Sequence, residues 1–237
     1  MHRKELNDRS PLRVLEQSMH GGLGLGKLGV VIARHGVGKT AFLVGVALDD
    51  LMRGKNVLHV TLDQPLEKVV AFYDDIFQDL AHSQELEDVW QARLDCERNR
   101  RIQCSRAVNF SPAKLKEIVN FWKETDNFEP TAIILEGFPF ASSSDEDLAK
   151  LREIASEFHC ELWMSAVTTR SAERNSRGVP EPIARLEGSV DVILTMAHDG
   201  NAVHVGLHKD HENTDVSELK LALDPTTMLL MAETTPG

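Results

Sequence analysis

Cysteine is scarce. Three residues, Cys96, Cys104 and Cys160, form an odd and widely spaced set with no C-x-x-C pair, which argues against a disulfide framework or a zinc ribbon and reads as reduced thiols of a cytoplasmic protein. Long apolar runs are missing too: nothing approaches the roughly 18 apolar residues of a membrane-spanning helix, and the opening MHRKELNDRS holds no signal-peptide core. Aromatic residues are few, with a single tyrosine. Positive charge is in deficit, 26 Lys and Arg against 37 Asp and Glu for a net −11. Nucleic-acid affinity comes largely from Lys and Arg neutralising phosphates, so this balance disfavours a nucleic-acid partner. The densest basic cluster, Arg93, Arg98, Arg100, Arg101 and Arg106, is interleaved with Glu85, Glu87, Asp88, Asp95 and Glu97, the mixture of a solvated helical face.

What is present suits one large α/β domain spanning all 237 residues, with residues 1–20 as a polar lead-in. A short helix is expected at Leu12–Ser18, and His20–Gly26 reads as a flexible connector. Apolar, β-branched runs mark strands at Gly29–Ala33, Asn56–Thr61, Arg101–Ser105, Ala132–Leu135, Glu161–Ala166 and Val190–Met196. Helical patterns lie between them at Lys39–Arg53, Leu66–Leu80, Glu85–Asn99, Pro112–Thr125 and Asp145–Phe158. Ser111-Pro112 reads as an N-cap followed by a first-turn proline, and Ser143 with Glu146 as a capping box. Alternating strand and helix predicts a mainly parallel sheet covered on both faces. The last stretch changes character. Ala202–His208, Glu218–Leu223 and Met228–Ala232 are strand-like, separated by the turn signals Asp199-Gly200-Asn201 and Asp224-Pro225-Thr226, and predict an antiparallel hairpin extension. Residues 170–182, rich in Arg, Gly and Pro, are expected to be a mobile loop.

One segment carries chemistry directly. Leu28-Gly29-Val30-Val31-Ile32 leads into Ala33-Arg34-His35-Gly36-Val37-Gly38-Lys39-Thr40, and Ala41 opens a helical run. Strand, glycine-containing loop ending in Gly-Lys-Thr, then helix is the context of a phosphate-binding P-loop. Arg34, His35, Gly36, Val37, Gly38, Lys39, Thr40 and Ala41 are therefore the candidate nucleotide-binding residues. Backbone N–H groups at a helix start lack intrahelical partners, and the dipole there favours an anion. Lys39 is placed to reach the β- and γ-phosphates, and the Thr40 hydroxyl to hold Mg²⁺. The pattern departs from its usual form at Ala33, where glycine is expected; alanine fits only with a negative φ.

Further segments, taken in order, resemble the RecA-fold ATPases that include DnaB-type helicase motors, RadA and KaiC. Leu15 and Gly21-Gly22-Leu23 with Gly26, ahead of the P-loop, are similar to the leading segment of RadA and KaiC domains. Val57–Pro65 resembles the second strand of helicase motors, and Ser165-Ala166-Val167-Thr168-Thr169-Arg170 their Ser-Gln-Leu-Asn-Arg. Leu186–Ile193 resembles a later strand preceded by an acidic residue, and Gly206–His211 the strand end that carries a Lys-x-Arg finger.

The resemblance implies ATP and Mg²⁺ as cofactors and gives the remaining roles. Asp63 becomes the candidate catalytic base, one methylene shorter than the family's Glu. Glu136, closing the apolar run Ile133-Ile134-Leu135, is the Walker B candidate in support of the metal, where the family has Asp; it also competes with Asp63 for the catalytic position. The sensor glutamine is replaced by Ala166, with Thr168 or Thr169 as substitutes. Lys209 is the retained finger lysine, acting across a subunit boundary, with His211 where arginine is expected. His208, Asp210, His211 and Glu212 read as a solvated loop in preference to a metal site. An intact P-loop beside altered auxiliaries implies a slow Mg-dependent ATPase that couples nucleotide state to self-association or to a protein partner. A non-hydrolysing regulator or scaffold is the alternative, and a DNA-acting recombinase or helicase-type ATPase a second. ATP over GTP rests on the resemblance alone.

Overall fold

Runs that are apolar on both sides of the pleat need cover on both faces, and that requirement organises this chain. The structure, a computed structural model, describes residues 10–62, 64–199, 202–213, 216 and 219–232. Six strands run parallel: β1 (Leu28–Ala33), β2 (Val57–Thr61), β3 (Arg100–Cys104), β4 (Ala132–Glu136), β5 (Glu161–Val167) and β6 (Val192–His198). Three more, β7 (Val203–Asp210), β8 (Leu221–Leu223) and β9 (Leu230–Ala232), continue the sheet antiparallel. The order across the nine strands is β3-β2-β4-β5-β1-β6-β7-β8-β9. A mainly parallel covered sheet with an antiparallel C-terminal extension therefore forms. Among the described residues no helix is long and apolar enough to cross a membrane.

The helices are α1 (Leu12–Ser18), α2 (Lys39–Met52), α3 (Leu66–Ser83), α4 (Val89–Arg98), α5 (Pro112–Asp126) and α6 (Asp145–Glu157). Period-two alternation splits the sheet between two cores. Val31 and Ala33 of β1 pack with Leu15, Phe42, Tyr73 and Cys96 from α1 to α4. Leu28, Val30 and Ile32 pack with Leu115 of α5 and Leu151 of α6 on the other face. Ser111 caps α5 by accepting from the Lys114 N–H, as its sequence predicts.

Four details differ from expectation. The capping box of α6 is Ser144 with Asp147, one residue later than predicted, because the Ser143 hydroxyl donates instead to the Pro139 carbonyl. Helix α4 starts at Val89 and not at Glu85: Glu85 and Asp88 have φ of 47° and 49°, left-handed conformations that a right-handed helix cannot contain. The connector is pinned, Gly24 N–H donating to Glu161 and Gly26 N–H to the Cys160 carbonyl. The Arg- and Pro-rich loop is closed on itself, with Asn175 N–H to Val179 O at 3.0 Å and the Thr168 hydroxyl to Glu181 O at 2.7 Å. Its glycine and proline make turns there. Residues 1–9 of the lead-in, Asp63, Gly200 and Asn201 of the expected turn, and Glu218 at the expected start of β8 lie outside the described residues.

Candidate functional site

The loop between β1 and α2 turns on two glycines. Gly36 and Gly38 have φ of 76° and 107°, and Gly38 stands as N-cap of α2 with no side chain capping it. The first-turn N–H groups of α2 lack i−4 carbonyls by helix geometry, so this end faces outward as an array of donors. Ala33 meets the condition set for it. It is the last residue of β1, paired with Val167, its φ is outside the left-handed region, and its methyl is buried. Val37 turns into the core below the loop, whereas Lys39 arches back over it, donating to the carbonyls of Ala33 at 3.3 Å and Arg34 at 3.0 Å.

Polar side chains from three strands meet under α2. On the α2-facing side β2 carries His59 and Thr61, β4 ends in Glu136, and β5 carries Ser165. Register sets Thr61 beside Glu136 and His59 beside Ile134, so His59 lies one pleat repeat below the carboxylate. The Thr40 hydroxyl donates to Glu136 Oε1 at 2.8 Å, and His59 Nε2 lies 3.1 Å from Oε2. On its other side His59 Nδ1 lies 3.1 Å from the Tyr73 hydroxyl. The Arg100 guanidinium covers the Tyr73 ring at 4.3 Å. Burial pushes the Tyr73 phenol well above its ordinary pKa, so it remains a hydroxyl donor. His59 and Tyr73 were absent from the sequence-derived site; the available signal was a histidine and a threonine on one parity of an otherwise apolar strand.

Above these residues opens a cavity of about 500 Å³, within the range of small-molecule sites. The P-loop side is lined by His35, Gly36, Gly38, Lys39, Thr40 and Ala41, and the floor by Glu136 and Ser165. Gln64, from the segment that resembles the helicase second strand, also lines the cavity, together with Lys68, Phe72, Phe138 and Phe140, which the sequence does not single out. The predicted P-loop residues and Glu136 are thus brought together, with Arg34 contributing a carbonyl to Lys39. Asp63 lies outside the described residues.

Other candidates stand elsewhere. Ala166 faces the opposite core, away from the cavity, and the Thr168 hydroxyl is engaged with Glu181 O. Lys209 pairs with Ile193 near the start of β6, at the end of the sheet opposite the P-loop. It donates to Glu187 O at 2.8 Å, and burial holds its pKa below the usual lysine value. His211 contacts Asp210 at 2.7 Å and the Leu23 carbonyl at 2.9 Å, while His208 joins Thr195 to Arg177 O. These side chains hold loops together and are not a free solvated turn. Among the described residues no group of three or more His, Cys, Asp or Glu is placed to hold a metal ion. The Thr40 hydroxyl and Glu136 carboxylate nevertheless suit a hard cation such as Mg²⁺, which keeps several waters and takes few protein oxygens.

No protein-family model matches the chain, and no curated protein matches it in sequence.

Proposed function

We propose that the protein is a RecA-like P-loop domain that binds ATP with Mg²⁺ and hydrolyses it slowly, coupling nucleotide state to self-association or to a protein partner. The observation that carries this is the 2.8 Å hydrogen bond from the Thr40 hydroxyl to Glu136, at the foot of an uncapped helix start beside a cavity of about 500 Å³. The sheet order, with β5 between the P-loop strand and the Glu136 strand, is compatible with a Rossmann or RecA-like fold. In this reading the N–H groups of residues 36–41 hold phosphate oxygens, Lys39 leaves the loop carbonyls for the β- and γ-phosphates, and Thr40 with Glu136 supports Mg²⁺. The metal's contribution is charge neutralisation on the phosphates.

Slow turnover follows from where two of the expected auxiliaries stand. Ala166 faces the far core, and Lys209 stands at the other end of the sheet, so a finger from Lys209 has to come from a second copy of the chain. The non-hydrolysing regulator is the second reading, and the position of Ala166 favours it. The net charge of −11 argues against DNA as the substrate.

The test is nucleotide binding beside nucleotide turnover, for the wild type and Lys39→Ala, with ATP and with GTP, with Mg²⁺ and with chelator. Binding with Lys39-dependent turnover supports the slow ATPase. Tight binding without turnover selects the regulator, and absence of binding in the folded wild type overturns both.

A further inference from the structure

The hydrogen-bond chain beneath the P-loop has a direction. A carboxylate accepts and never donates, so both atoms that meet Glu136 carry protons: the Thr40 hydroxyl at Oε1 and His59 Nε2 at Oε2. Thr40 has one proton, and with that proton turned toward Glu136 its lone pairs remain for the cavity. In a neutral imidazole one nitrogen donates and the other accepts. With Nε2–H facing the Glu136 carboxylate, Nδ1 of a neutral ring is the acceptor, and the Tyr73 hydroxyl 3.1 Å away is its donor. His59 and Tyr73 are buried to within 1% of complete exclusion, with the Arg100 guanidinium over the tyrosine ring. The two His59 bonds are buried from solvent, and the register of β2 on β4 fixes where they point.

We propose that His59 is the positioning residue for the metal end of the site: its Nε2–H fixes the Glu136 carboxylate, which in turn keeps the Thr40 lone pairs aimed into the cavity, and Tyr73 sets the tautomer that makes this possible. The proposal rests on the Mg-nucleotide reading above. A polar pair that merely stabilises the core would affect unfolding and leave metal dependence alone. A positioning residue couples to the metal: loss of a partner outside the ligands themselves costs about 10- to 100-fold in metal affinity.

Two readouts separate this proposal from the reading beneath it. The first needs no nucleotide: long-range ¹⁵N–¹H correlation on the full chain reports which nitrogen of His59 is protonated. A protonated Nε2 with a bare Nδ1 in the wild type is expected, and a bare Nε2 or a protonated Nδ1 overturns the proposal whether or not the protein binds ATP. The second is the ratio of ATP dissociation constants in chelator and in saturating Mg²⁺. His59→Leu is expected to shrink that ratio about tenfold or more while binding in chelator stays within about twofold. His59→Gln, whose amide N–H reaches toward the same carboxylate, restores the ratio to within about threefold. Tyr73→Phe falls between them and decides the matter where His59→Leu fails to fold. A folded His59→Leu or Tyr73→Phe with the wild-type ratio overturns the proposal. A wild type that binds no nucleotide overturns the Mg-nucleotide reading and with it the metal role of His59.

Discussion

The indole of Trp163 fills the space that a side chain at Gly29 would take. A Cβ built on Gly29 stands 2.5 Å from Cε3 and 2.6 Å from Cζ3, and the two residues face each other across β1 and β5. The strand that delivers the P-loop is therefore packed directly against a large, buried ring. Gly29→Ala is expected to lower stability by about 1–3 kcal/mol, the usual range for overpacking a dense core. Denaturant unfolding checks it: the midpoint falls while the slope is unchanged. Trp163→Leu opens the same space, so the double variant should lose less than the sum of the two single losses.

A second expectation concerns acid. Asp210 is 1% exposed, and it accepts from His20 Nδ1 at 2.6 Å, His211 Nδ1 at 2.7 Å and the Asn213 amide at 3.3 Å. Burial pushes its carboxyl up, but the hydrogen bonds from His211, His20 and Asn213 together outweigh that and hold it below the usual carboxylate value. A carboxyl whose folded pKa lies below its unfolded value of about 3.9 contributes stability above that pH and loses it as pH falls through the folded value. Asp210→Asn should cost about 1–3 kcal/mol at pH 7. The gap to the wild type should then narrow at pH values below about 4. Denaturation at pH 7 and pH 3 measures both; an equal gap at the two pH values would show that the ionised carboxylate is not what joins the connector to β7.

Much of the fold was legible because its signals are local. Five of the six parallel strands are short, mainly apolar runs, the polar edge strand β3 being the exception, and P-loop residues are contiguous, so strand, turn and helix appear together in the sequence. Register was not legible. His59 and Glu136 meet because β2 lies beside β4, and nothing across their separation of 77 positions marks that pairing. Tyr73 reaches the same chain from a helix. The capping box was misplaced because Ser143 and Ser144 each precede an acidic residue by three, and the choice was made by the Pro139 carbonyl. Lys209 enters only through the resemblance, as a finger acting across a subunit boundary, and its place at the far end of the sheet leaves that role to a second copy of the chain.

Thiol reactivity gives a test of the burial pattern. Cys104 ends the edge strand β3 and is exposed, whereas Cys96 and Cys160 are buried, and burial pushes the Cys160 thiol up to about 12. A thiol-reactive disulfide reagent should label one cysteine in the native protein and three after denaturation. Cys104→Ser should abolish native labelling. Burial and the nearby Glu67 also raise the Cys104 pKa, so the native rate should climb steeply with pH, because the thiolate is the attacking species. Two fast-reacting thiols at neutral pH would mean that the packing over Cys96 or Cys160 is open.

The bond between Thr40 and Glu136 makes a prediction about coupling that neither residue makes alone. Thr40→Ser keeps the hydroxyl and should bind Mg-ATP much as the wild type does. Thr40→Val keeps the shape and removes both the metal ligand and the donor to Glu136, so the tightening of ATP binding by Mg²⁺ should fall by about 10- to 100-fold. Glu136→Gln keeps an acceptor for Thr40 but removes the charge, and should lose part of the same tightening. Because both act through one 2.8 Å contact, the double variant Thr40→Val with Glu136→Gln should lose little more than Thr40→Val alone. Calorimetric titration with ATP, in Mg²⁺ and in chelator, gives all four corners of the cycle. Additive losses would instead mean that Glu136 works on a different atom, and would move it to the water-positioning role for which Asp63 is the competing candidate.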